Sequence, residues 1–237
     1  MGASTTFPFA RTAAAFGAYE RNIRDAAHWA HPSWWAAALG VAADAVEPIR
    51  AALQGAARTQ VEAVSRTLTS VAGVRIPSLD ALRAPNPAVL DALPPEWGLR
   101  VLRMRALMPR LADVRRLIDK RSRQQLSDWI GVPIDRLTEG VYDAASVPEI
   151  ARMTVRASLP SLDSLDAHAL ACEGCALFRR DAPAGVVPFS LLCLALPRDM
   201  RTPSWVHQSG DEFDRYGSAR LLARLPELIP EWGWLFG

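Results

Sequence analysis

Cys172-Glu173-Gly174-Cys175 is the stretch whose residue types and spacing most resemble a chemical motif. Two thiols three residues apart can supply half of a tetrahedral zinc site, with Cys193 and either His168 or His207 completing it. The same spacing serves a redox dithiol. Each reading lacks a second feature. No other closely spaced pair accompanies the motif for zinc, and no strand-then-helix pattern surrounds it for a thioredoxin-like centre. Buried cysteine otherwise behaves as a small hydrophobe, and that is the expectation here. His28 and His31 stand three apart with no third ligand suggested nearby, so surface or capping roles are expected for them.

Hydrolytic and nucleotide chemistry find no footing. None of Ser33, Ser190, Ser204 and Ser209 sits in a Gly-x-Ser-x-Gly elbow. There is no Walker A loop and no Gly-x-Gly-x-x-Gly. The carboxylates Asp163/Asp166 and Asp211/Glu212/Asp214 fall where helix starts or turns are expected, and acids there complement the helix dipole. The expectation is a protein that is not an enzyme, with no cofactor and no functional metal.

The dominant electrostatic feature is Arg100, Arg103, Arg105, Arg110, Arg115, Arg116, Lys120, Arg121 and Arg123. Residues 98–131 hold nine basic and three acidic side chains; residues 132–237 hold ten and fourteen. Three uses are open: neutralising phosphates of a nucleic acid, docking on an acidic protein surface through arginine forks, or pairing with the acidic C-terminal part of the same chain. Tryptophan, abundant at interface hot spots, adds candidates. Trp34, Trp35, Trp232 and Trp234 are expected at a partner interface, whereas Trp97 and Trp129 read as core.

The elements that must position these groups read as helices. Phe16, Tyr19, Ile23 and Ala27 recur at helical spacing within 10–30, and Pro32 should end that run. A further helix is expected to run on to about Val71, with Gly73 as its cap. The stretch 74–96 holds five prolines and is expected to be a linker and an internal boundary; Asn86-Pro87 is a cap followed by proline at the first helical position. Pro109 should divide 96–131 into a short helix and a long one, with Leu111, Val114, Ile118, Leu126 and Trp129 on one apolar face ended by Gly131 and Pro133. Arg115, Arg116 and Arg123 would lie off that face. Helices are also expected over Asp135–Gly140, Val147–Leu159, Asp163–Arg180 and Ser218–Leu228. No run alternates with period two. The fold class is therefore all-α: a single irregular helical domain, 1–237, with a proline-rich central linker.

Composition agrees. Half of the 237 residues are hydrophobic, 22% are charged and the formal charge is +2, which excludes disorder and a polyanion-binding chain overall. Three cysteines suit a reducing compartment. The strongest apolar run, Gly185 to Leu196, falls short of the ~20 residues that cross a bilayer. Met1–Thr6 lacks the features of an export signal, so a cytoplasmic location is expected.

Several stretches together carry a resemblance. They are His31-Pro32-Ser33-Trp34 after an aromatic helix, Trp97-Gly98-Leu99-Arg100-Val101-Leu102-Arg103-Met104-Arg105-Ala106-Leu107, Arg115-Arg116-Leu117-Ile118-Asp119, Trp129-Ile130-Gly131 and the terminal Trp232-Gly233-Trp234-Leu235-Phe236. Over most of its length the chain resembles the SctK (YscK-like) family of bacterial type III secretion systems, in its Hrp-type branch.

The resemblance implies a non-enzymatic, mainly helical cytoplasmic adaptor. It would belong to the sorting platform at the cytoplasmic face of the inner membrane, peripheral to the bilayer through its partners. Those partners would be the inner-membrane ring protein SctD and the SctQ pods, with SctL and the SctN ATPase reached indirectly. The family supplies no site residues by position. Arg115, Arg116, Arg123, Trp34, Trp35, Trp232 and Trp234 are partner-binding candidates from residue chemistry alone. The alternative is a helical nucleic-acid-binding regulator using the basic helix 98–123.

Overall fold

The computed structural model describes residues 8–83, 86–139, 159–183, 187–208, 214 and 216–237. Among them every regular element is helical. The expected helix over 147–159, all but its last residue, lies outside the described residues, as do Asp211 and Glu212. The chain forms two compact units: 1–98 with 188–200 and 234–236, and 99–187 with 201–233 and 237.

The first unit contains α1 (Pro8–Arg24), α2 (Ala26–Trp29), α3 (Pro32–Leu39), α4 (Val46–Gln54), α5 (Arg58–Val71) and α6 (Leu79–Arg83). Pro32 occupies the first turn of α3, where no backbone donor is lost. The expected continuous helix up to Val71 is broken in two. Gly55 closes α4, and Ala57, extended at ψ 145°, opens α5. At the far end Gly73, at φ +69°, takes the left-handed conformation that terminates α5.

Polar groups join the parts of this unit. Tyr19, 1% exposed, reaches the Arg75 carbonyl. Asn22 Nδ2 donates to the Asp91 and Leu93 carbonyls at 2.9 and 2.6 Å. Within the proline-rich stretch, Asn86 caps a 3-10 helix over Pro87–Ala92, and Val89, Leu90, Ala92 and Leu93 are buried. The buried Asp91 carboxylate accepts the backbone N–H groups of Ser190, Leu191 and Leu192 at 3.0, 3.2 and 2.7 Å. It thereby caps the 3-10 helix Leu192–Ala195 of the apolar run, whose Phe189, Leu191, Leu192, Cys193, Leu194 and Leu196 are all buried.

α7 (Pro95–Leu107) begins in the first unit and continues into the second. The second unit also holds α8 (Leu111–Arg116), α9 (Lys120–Ile130), α10 (Ile134–Thr138), α11 (Ala167–Asp181), α12 (Ser204–Gln208) and α13 (Gly217–Leu228). Val101, Leu102, Met104, Ala106 and Leu107 have no exposed surface, so α7 is buried on most sides. Each large apolar side chain so buried contributes roughly 1.5–3 kcal/mol. α11 crosses α7 at Gly174, where a Cβ would stand 1.8 Å from the Leu102 carbonyl oxygen. Only glycine allows that approach.

Two expectations for this unit are corrected. The long helix after Pro109 is interrupted: Leu117 and Asp119 are extended, at ψ 111° and 121°, and Asp119 caps a new helix by accepting from Ser122 N at 2.8 Å. The start expected near Ser161–Ser164 is a separate 3-10 turn, and α11 begins only after Asp166, which accepts from Ala169 N at 2.7 Å.

Candidate functional site

The basic segment divides into an inner and an outer set. Helical spacing on α7 carries Arg105 into the interior, where it has no exposed surface. Its Nη1 lies 2.6 Å from Asp214 Oδ2, its Nη2 2.8 Å from Asp181 Oδ2, and its Nε donates to Ser218 Oγ at 2.9 Å. Ser218 Oγ in turn donates to Asp181 Oδ2 at 2.6 Å. Burial disfavours charge on Asp181, but Arg105, the Ser218 hydroxyl and Arg180 outweigh it and hold this carboxyl below the usual range. Gly217 leaves room for the arrangement, since a Cβ there would meet Asp214 Oδ2 at 2.3 Å and Arg105 Cζ at 2.6 Å. Asp214 itself sits at φ 49°, a left-handed conformation uncommon outside glycine.

Arg110 forms the second buried pair. Its Nη2 is 2.8 Å from Glu173 Oε2, with side chains 1% and 5% exposed. The contact is a buried ion pair. The guanidinium lies 5.3 Å from the centroid of the Trp205 ring, within cation–π range, and Trp205 Nε1 donates to Glu173 Oε1 at 3.2 Å. Burial penalises both charges: it raises the Glu173 carboxyl and lowers Arg110, each partly offset by the other.

Arg103 serves helix ends. Its Nε donates to the Ala167 carbonyl at 2.9 Å and its Nη1 to the Trp129 carbonyl, in the last turn of α9, at 2.8 Å. Of the three uses open to the basic segment, internal pairing with the acidic C-terminal part therefore takes Arg105 and Arg110.

The outer set is different. Arg115 and Arg116 are exposed; Arg115 donates to the Thr138 carbonyl at 2.7 Å and Arg116 lies 3.9 Å from Asp113. Arg123, half-buried, pairs with Asp135 and donates to the Leu117 carbonyl at 3.3 Å. Lys120 and Arg121 are exposed. Leu111 and Val114 face inward as expected and Trp129 is half-buried, but Ile118 is 96% exposed because the chain leaves the helix there.

The tryptophan candidates differ in exposure. Trp34 is half-buried and donates to the Leu196 carbonyl at 2.9 Å. Trp35 is buried in the first unit, only 3% exposed, so a surface role for it needs α3 to move. Trp232 is half-buried and Trp234 is exposed. Arg115, Arg116, Arg123 and Trp232 belong to the second unit, whereas Trp34, Trp35 and Trp234 belong to the first.

The residues singled out for chemistry have structural positions. Cys175 is buried, Glu173 between the cysteines pairs with Arg110, and Gly174 makes the helix crossing. Cys172 Sγ lies 3.7 Å from His168 Nε2, and burial pushes its thiol up to about 11, away from thiolate reactivity. His31 caps α3 by accepting from Ser33 N. Among the described residues no three His, Cys, Asp or Glu side chains converge as metal ligands.

The sequence leaves internal pairing open as one use of the basic segment without naming which arginines it takes, and it does not show the Asp91 cap. A signal existed: Glu173 interrupts the apolar run Leu170–Phe178, and Asp91 interrupts Val89–Leu93. A carboxylate placed among core residues requires a buried cation or backbone donors.

Among known proteins, no curated protein and no solved structure matches this chain. One family model does, that of the bacterial type III secretion protein HrpB4, over residues 7–231. That match spans nearly the whole sequence, and the chain belongs to the HrpB4 family of bacterial type III secretion proteins.

Proposed function

We propose that the protein is a non-enzymatic adaptor of the secretion apparatus, bridging the cytoplasmic domain of the inner-membrane ring protein SctD to the SctQ-containing sorting platform in the manner of SctK. Family membership over 7–231 carries this reading. Arg115 and Arg116 support it, because their contacts are exposed and can be exchanged for an acidic partner. The residues best suited to chemistry support it too. Glu173, Asp181 and Cys175 are taken up by ion pairs and packing. Attachment at the inner membrane then runs through partners; no helix among the described residues is long and apolar enough to cross a bilayer. The nucleic-acid alternative loses Arg103, Arg105 and Arg110, which face carbonyls and carboxylates within the second unit.

The test pairs the wild type with an Arg115→Glu/Arg116→Glu/Arg123→Glu variant. The variant should fold: exposed contacts cost about 1 kcal/mol or less each, and the half-buried Arg123 beside Asp135 is the costliest of the three. Wild-type protein should co-purify with SctQ and SctD from secreting cells, and the variant should lose one of them together with secretion. Normal secretion by a strain lacking the protein would sink the proposal, as would tight duplex DNA binding without platform binding.

A further inference from the structure

The interruption between α8 and α9 produces a surface that the basic composition alone does not suggest. An unbroken helix would have set Ile118 on the face of Leu111 and Val114. Extended backbone at Leu117 and Asp119 instead turns Ile118 outward, 96% exposed. Exposed cations flank it on both sides: Arg115 and Arg116 before, Lys120 and Arg121 after. With Arg123, residues 115–123 hold five cations against the one carboxylate of Asp119, which is itself engaged by Ser122. Leu117, the chain neighbour of Ile118, lines a groove of about 160 Å³ together with Leu126, Trp129, Leu162 and Leu165.

We propose that Ile118 and this groove form a docking site for an acidic amphipathic helix of a partner protein. The apolar side of such a helix would cover Ile118 and enter the groove, and its carboxylates would meet the cations on either side. Charge complementarity selects the occupant. The excess of cations repels a basic helix and favours an acidic one. The groove is concave and lined by apolar side chains, which suits the apolar residues of a helix better than a bilayer surface or a duplex phosphate backbone. An apolar tip within a polar, charged rim is also the usual layout of a protein interface. The inference deepens the adaptor reading by naming a surface and the chemistry of its partner.

The experiment uses the full chain and synthetic probes, so its outcome is separate from whether SctQ or SctD binds. The probes are an amphipathic helical peptide with leucine on one face and glutamate on the other, its lysine counterpart, phosphatidylglycerol vesicles and a short DNA duplex. The glutamate peptide should bind in a salt-sensitive way and the lysine peptide should not. Affinity should fall by about tenfold or more in Ile118→Asp and in Lys120→Glu/Arg121→Glu, with the melting temperature of Ile118→Asp unchanged. Equal binding of both peptides, no binding, or undiminished binding by Ile118→Asp overturns the proposal. So does preferential retention on vesicles or duplex, or a melting temperature lowered by Ile118→Asp.

Discussion

Arg110→Met removes the cation from beside Glu173 while keeping most of the side-chain volume. Both side chains are almost fully enclosed, at 1% and 5% exposure, so water cannot replace the lost partner. Breaking such a pair on one side costs about 3–5 kcal/mol, because a buried charge is left uncompensated. Loss of the guanidinium over Trp205 adds up to about 2 kcal/mol. The pH dependence follows from Glu173, whose carboxyl burial already raises. Without Arg110 it is raised further. A carboxyl with a raised folded-state value favours folding below its unfolded value and loses that contribution as pH rises through the folded one. The destabilisation should therefore be largest in neutral to alkaline solution and shrink towards acid. Arg110→Met/Glu173→Leu should recover most of the loss, since a matched apolar pair is often neutral or better. Urea unfolding followed by tryptophan fluorescence measures the wild type, Arg110→Met, Glu173→Leu and the double variant, with the slope m checked for constancy. A single-variant cost under about 1 kcal/mol, or a double variant whose losses simply add, would refute the buried-pair argument.

Two further outcomes are expected. Gly174→Ala should destabilise by about 1–3 kcal/mol or more, as α7 and α11 must separate to admit a methyl group 1.8 Å from a carbonyl, while Cys172→Ala in the same helix should change little; equal effects in urea unfolding contradict the crossing. Burial pushes the Asp91 carboxyl up to about 6 despite three backbone donors, so on acidification from pH 7 to 4 the wild type should gain roughly 2 kcal/mol relative to Asp91→Asn; parallel pH profiles for the two proteins refute this.

Much of the helical architecture was legible because its signals are local. Pro32, Asn86-Pro87, Gly73 and Gly131 mark boundaries through their own backbone constraints, and these act in the structure where the sequence puts them. Other boundaries escape the sequence, two of them for the opposite reason. Ile49 to Leu68 and Leu111 to Ile130 keep helical spacing across their breaks, and hydrophobic periodicity does not register a short extended segment at Ala57 or at Leu117–Asp119.

The sequence by itself determined helix content, the absence of recognisable catalytic motifs, the concentration of arginine at 100–123 and, through its motifs, the link to type III secretion. Only the tertiary structure decided which arginines face a partner. Arg105 and Arg110 resemble Arg115 and Arg116 in composition and local charge, yet the first two meet Asp181, Asp214 and Glu173 more than sixty positions away in the chain. The same holds for Cys172-Glu173-Gly174-Cys175, which resembles a ligand motif locally and acts as a helix crossing with a buried counter-ion. Such pairings are set by which helix faces meet, and burial makes them obligatory once the faces have met, since an unpartnered charge cannot remain in the core.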